Sequence, residues 1–236
     1  MKIGVFGDSF AGHTGDLEAK QKRWTEHLQE MRPDWYIGNH GHAGSSLYWT
    51  YNQIRQHEAA YDKLIVIYTN PNRLWLPKLT DYNIEHCYGY HYIMRRENRS
   101  DWDPKSILAK KMAPGLKFYY QYICDEREQN LYWKLLVEEI RNMPNVELCI
   151  PAMTRTANEP IKASMTRIAD IDHEIFNVNV MQDDFADLRA CHMNQKNNIQ
   201  FAKRILEHFD DIREFDINLK EYGPPDADEL VIGSYK

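Results

Sequence analysis

Four short segments of this chain of 236 residues carry residue types that nucleophilic catalysis uses. They are Gly7-Asp8-Ser9-Phe10, Asn39-x-Gly41-x-x-Gly44-Ser45, Tyr68-Thr69-Asn70-Pro71 and Asp187-Leu188-Arg189-Ala190-Cys191-His192. A serine hydroxyl is a poor nucleophile until a positioned imidazole takes its proton. The oxyanion formed on attack needs preorganised donors, and loss of one typically lowers kcat by about 10²–10³-fold. Each segment also has a plainer use. Ser9 could serve turn chemistry or cap the next stretch of chain, and Gly44 could occupy a tight turn. Asn70-Pro71 could initiate a turn, and His192 could be a cap or a surface residue.

The elements around these segments decide whether they can meet. Residues 2–6 form a short apolar run that ends at Gly7. Leu17, Trp24, Leu28 and Met31 lie on one face of a helix predicted over 17–31, which Arg32-Pro33-Asp34 ends. Trp35-Tyr36-Ile37 reads as a second strand, and Ser45 or Ser46 could cap a helix running to about Ala60. Leu64-Ile65-Val66-Ile67 is apolar without alternation, as in a strand buried on both faces. Trp133, Leu136, Ile140 and Met143 restore helical spacing before a fourth strand over 146–151. A weaker fifth strand is predicted over 174–178, and Ile199, Ala202, Leu206 and Phe209 mark a last helix opening near Asn194. Strand–helix alternation of this kind implies an α/β fold with a parallel sheet. Ligands bind beyond the carboxyl ends of such strands. The first three segments lie at those ends, and the fourth lies just before the last helix.

Composition narrows the classes. The chain is 43% hydrophobic and 27% charged, as in a soluble globular protein, with a net charge of −6 that disfavours binding to nucleic acid. No apolar run approaches the ~18–20 residues of a membrane span, and the mean hydropathy is −0.68. The N-terminal apolar stretch is too short for a signal-peptide core. A soluble, cytoplasmic protein is therefore expected. The four cysteines form no C-x-x-C pair and are expected to be free thiols. Fifteen Tyr, six Trp and eight Phe exceed what one core needs and point to an aromatic-lined groove or cap. Many fall between 72 and 127, read as an aromatic-rich insertion or cap on a domain over 1–213; an acidic tail covers 214–236.

Taken in order, the four segments resemble the four blocks of the SGNH, or GDSL-type, hydrolase family. The resemblance implies a three-layer α/β/α flavodoxin-like sandwich with a central, mostly parallel sheet, and cleavage of a carboxylic ester through an acyl-enzyme. It implies Ser9 as nucleophile and His192 as general base. The backbone N–H groups of Ser9 and Gly44 and the Asn70 side-chain amide would form the oxyanion hole. No cofactor or metal is expected. The substrate would be a small-molecule or carbohydrate ester. Asp187-x-Arg189-x-x-His192 followed by Asn197-Asn198 also resembles the ending of some SGNH-like proteins encoded by bacteriophages, whose setting would be the host cytoplasm.

The chain departs from the family in places. The position three residues before the histidine, usually aspartate, is Arg189; the nearest upstream acid is Asp187. Asp187 would then orient His192 from a tighter loop, unless a backbone carbonyl does so. Tyr68 stands for the glycine of the third block and Pro71 for its aspartate; proline removes a donor and holds Asn70 extended. These departures keep two alternatives open. One is an SGNH-shaped binding protein whose catalysis has lapsed, recognising a partner or small anionic ligand through its aromatics and Arg95, Arg96 and Arg99. The other is an acyltransferase using the same serine. His13, His40 and His42 cluster near the first two segments but match no standard zinc spacing. Gly12 to Gly15 lacks the lysine of a phosphate-binding loop.

Overall fold

The third apolar run is the middle of the molecule: Leu64, Ile65, Val66 and Ile67 are all fully buried. A computed structural model describes residues 1–11, 22–42, 45–69, 71, 73, 104–152, 193, 195–212, 214–217 and 221–222. Its elements are β1 (Lys2–Gly7), α1 (Trp24–Met31), β2 (Tyr36–Asn39), α2 (Leu47–His57) with a 3-10 turn (Glu58–Ala60), β3 (Lys63–Tyr68), α3 (Pro104–Phe118) running into a π-helical turn (Tyr119–Ile123), α4 (Glu126–Arg141), β4 (Val146–Pro151) and α5 (Gln195–Phe209). The strands form one sheet in the order β2-β1-β3-β4, and every pairing is parallel. The strand predicted over 174–178 and the start of the helix predicted over 17–31 lie outside the described residues.

Side chains alternate across the sheet with the period of two that a strand imposes. Ile3, Val5, Ile65, Ile67, Leu148 and Ile150 point to one face and pack with Trp24 and Leu28 of α1 and Phe201, Ala202 and Ile205 of α5. Phe6, Leu64, Val66 and Tyr68 point to the other and pack with Leu47 and Ile54 of α2 and Trp133, Val137 and Ile140 of α4. The result is a parallel sheet flanked by helices, with two cores rather than one. Much of the aromatic load is spent there: Trp24 meets Phe201 edge to face, and Tyr68 meets Trp133 likewise. Tyr68 is thus a fully buried core residue, and Arg141 donates to its hydroxyl at 3.3 Å.

Capping fixes the helix starts. Ser46, not Ser45, caps α2, its Oγ accepting from the Trp49 N–H at 3.2 Å. Asp125 caps α4 through the Arg127 N–H at 2.8 Å. At α1 the Trp24 N–H, which has no intrahelical acceptor, finds one far along the chain, in Asn198 Oδ1 of α5 at 3.0 Å. Beyond α5, Ile217 and Tyr222 enter the first core. Buried Arg204 holds that segment through the Asp216 backbone oxygen at 3.0 Å, and also bonds the Glu214 carbonyl and the Asp216 carboxylate.

Candidate functional site

The sheet order reverses between β1 and β3: β1 passes to β2 on one side, and the chain then returns to β3 on the other. A crevice forms outside the carboxyl ends at such a point. The described residues that leave β1 and β3 there are Asp8-Ser9-Phe10-Ala11, and Thr69, Pro71 and Arg73. Gly7 starts the first turn at φ +151°, where a Cβ would lie 2.5 Å from the Ile67 carbonyl oxygen. Only glycine suits that backbone and that gap.

The turn after Gly7 is closed by the Ala11 N–H donating to the Asp8 carbonyl at 3.0 Å. The Phe10 N–H donates to Asp8 Oδ1, also at 3.0 Å, so the aspartate side chain shapes the turn that carries Ser9. Ser9 is 7% exposed, and its hydroxyl has no hydrogen-bond partner among the described residues. Trp24 Nε1 donates to the Phe10 carbonyl at 2.8 Å, and Asn39 Nδ2 donates to the Ala11 carbonyl at 2.6 Å. Asn39, the first residue of the second block, therefore braces the first block, while its Oδ1 accepts from the Gly41 N–H.

The Gly7 carbonyl accepts twice from the loop after β2, from the His42 N–H at 2.9 Å and from Ser45 Oγ at 3.0 Å. The loop after β3 contributes Arg73, a residue that none of the four sequence blocks includes. Its Nη1 donates to Asp8 Oδ2 at 2.9 Å and to the Ser45 carbonyl at 3.1 Å. Asp8 is fully buried and the Arg73 side chain is 19% exposed. A buried carboxylate demands a cation or several donors. That demand is the signal the sequence offers, since Asp8 directly follows the run Ile3-Gly4-Val5-Phe6-Gly7, which has no polar side chain. At the end of β3, Thr69 Oγ1 is buried with no partner among the described residues, and the Thr69 carbonyl accepts from Trp133 Nε1 at 2.7 Å.

Of the candidate residues, Ser9 is described; Gly44, Asn70, Asp187 and His192 lie outside the described residues. Their described neighbours are Ser45, Thr69, Pro71 and Met193. Ser45 and Thr69 lie at the carboxyl ends as just given. Met193 is buried in the core that holds Phe10 and Ala11, and its carbonyl accepts from Asn198 Nδ2 at 2.8 Å.

The histidines near the turn pack as rings. His40 stacks on Phe6 at 4.8 Å and on His57 at 4.4 Å, and its Nε2 lies 2.6 Å from the Tyr61 hydroxyl. Burial, then the nearby His57 charge, pushes the His40 imidazole below its ordinary range. His42 meets Trp49 edge to face. Among the described residues no group of three or more His, Cys, Asp or Glu could hold a metal ion. Cys124 and Cys149 are free thiols, and burial pushes Cys149 up to about 12, which leaves it protonated at neutral pH. No described helix is long and apolar enough to cross a membrane.

No family model matches the chain, and no curated protein matches it. Among solved structures, the chain is similar to a member of the lipolytic protein G-D-S-L family from Veillonella parvula, at 15% identity over 89% of this chain and 98% of that one, with a TM-score of 0.35. It is also similar to an α/β hydrolase enzyme from the metagenome of Lake Arreo, Spain, at 13% identity over 88% of this chain and 93% of that one, with a TM-score of 0.33.

Proposed function

We propose that the protein is a serine hydrolase of SGNH type that cleaves a carboxylic ester, such as an acylated carbohydrate, through an acyl-enzyme. The observation that carries this reading is the Ser9 turn. A turn opened by a positive-φ glycine and shaped by the Asp8 carboxylate holds a serine, whose hydroxyl has no hydrogen-bond partner among the described residues, at the carboxyl end of β1, where the sheet order reverses. The order β2-β1-β3-β4 supports a flavodoxin-like, three-layer arrangement.

In the proposed reaction the Ser9 hydroxyl loses its proton to His192 as Oγ bonds the acyl carbon, and the carbonyl electron pair moves onto oxygen. The Ser9 and Gly44 N–H groups and the Asn70 amide receive that charge. Collapse of the intermediate expels the alcohol, which takes the proton back from His192. Water repeats the sequence and frees the acid. Asp187 orients the imidazole. The chain needs no cofactor for these steps, and a cytoplasmic, phage-related setting belongs to the same reading.

Fluorophosphonate labelling, with the modified residue located by mass spectrometry, tests it. The expected result is an adduct on Ser9 that Ser9→Ala abolishes without loss of fold, and a labelling rate that climbs with pH through the imidazole range near ~6.5. Folded wild-type protein without an adduct would overturn the reading and favour a binding protein that has lost catalysis.

A further inference from the structure

Arg73 reaches the Ser9 turn from the loop after β3. A single nitrogen, Nη1, joins the Asp8 carboxylate to the Ser45 backbone, and Ser45 Oγ in turn holds the Gly7 carbonyl. The loops after β1, β2 and β3 are thereby tied together around the residue preceding Ser9. The guanidinium suits this task because its planar fork donates in fixed directions, whereas an ammonium is a point charge on a flexible stem.

The turn's shape alone does not call for a charge. An asparagine at position 8 would accept the Phe10 N–H equally well. A fully buried carboxylate next to a nucleophile is a liability for acyl transfer, because negative charge develops close by in the transition state and the surroundings screen it poorly. The charge at Asp8 must therefore be answered from within, and Arg73 answers it at 2.9 Å.

We propose that Arg73 is a positioning residue for Ser9, which holds the Asp8 carboxylate in the turn and cancels its charge so that it does not oppose the oxyanion. The inference rests on the reading of Ser9 as nucleophile. It makes Asp8 and Arg73 a matched unit: each is harmful without the other, and removing both costs less than removing Arg73 alone.

The test is the kinetics of inactivation by a fluorophosphonate, resolved into the maximal rate and the concentration for half-maximal rate. In that step the Ser9 Oγ–P bond forms, fluoride leaves and the hydroxyl proton passes to the base. For Arg73→Met the expected result is a fall of about tenfold or more in the maximal rate, with little change in the half-saturating concentration. Asp8→Asn combined with Arg73→Met is expected to recover most of that loss, and Arg73→Lys to fall between. If Arg73→Met does not fold, the double variant and Arg73→Lys, neither of which leaves a lone buried carboxylate, carry the comparison. A double variant near the wild-type rate and ahead of Arg73→Lys supports charge cancellation, and one at least tenfold slower than wild type overturns it. An Arg73→Met rate within twofold of wild type overturns the inference alone, as does a folded Arg73→Met that the second substitution fails to rescue. Wild-type protein that is not inactivated overturns the serine reading and this inference with it.

Discussion

The two ends of the parallel sheet handle charge in opposite ways. At the carboxyl ends, a fully buried Asp8 pairs with a largely buried Arg73, next to a glycine with positive φ. At the amino ends, Lys63 opens β3 and bonds Glu147 of β4 at 2.6 Å, and His208 of α5 approaches the same carboxylate at 3.2 Å. That cluster is open to solvent, with Lys63 at 42% and Glu147 at 30% side-chain exposure. Water screens it, and such pairs contribute little to stability. Charge at the carboxyl end has no such relief, so its partners are fixed by the fold. A buried ion pair is a poor device for stability; its retention beside Ser9 is better explained by what it does for the turn.

Three substitutions sharpen this contrast. The largest effect is expected from Gly7→Ala. The new methyl would press on the Ile67 carbonyl, and the backbone conformation would cost roughly 1–3 kcal/mol. Urea unfolding should show that loss, and fluorophosphonate labelling of Ser9 should fall with it; unchanged labelling would uncouple the strained turn from the serine.

His40, at the end of β2, should give an intermediate effect that depends on pH. Its imidazole is held below the ordinary value chiefly by burial. Below about pH 6.5 the unfolded chain therefore takes up a proton that the folded chain resists, and stability drops as pH falls through that range. His40→Phe keeps a ring against Phe6 and cannot titrate, so its stability should decline less between pH 7 and 5. Equal slopes in the two proteins would remove His40 from the account.

The smallest effect belongs to the amino end. The hydrogen bond from Lys63 holds the Glu147 carboxyl below the usual range, against an opposing effect of burial. The pair therefore stabilises above that range and loses its contribution as pH falls through the folded Glu147 value. Lys63→Met should lower stability at neutral pH by about 0.2–1 kcal/mol and leave Ser9 labelling unchanged. A larger loss would mean that the two ends are less different than their exposure implies.

Sequence alone exposes the elements more readily than their mutual contacts. The unbroken apolar run at Leu64 to Ile67 announces a central strand because burial on both faces leaves no polar positions. Val146 to Pro151 and the spacing of Trp133 and Ile140 are legible for similar local reasons. Tyr68 looks like a departure from a motif, because only the packed structure places Trp133 and Arg141 around its ring and hydroxyl. Arg73 is illegible for a different reason. Its partner lies 65 positions earlier, and no local spacing encodes a contact that parallel strand order creates. Part of the aromatic content serves two cores rather than one, because the sheet divides the interior, while the aromatics between 74 and 103 lie outside the described residues.

The bond between Trp24 and Asn198 spans 174 positions. During synthesis, β1, β3, β4, α2 and α4 can all emerge from the ribosome while α5 is still unmade. Until it arrives, Ile3, Val5, Trp24, Leu28, Ile65 and Ile67 lack Phe201, Ala202 and Ile205 as their cover. One face of the nascent sheet thus stays apolar and open for most of translation, the kind of surface that chaperones hold and aggregation exploits. The helix that ends this wait follows Met193, which is buried in the same core as Phe10 and Ala11, so closing that core and covering the open face become a single event.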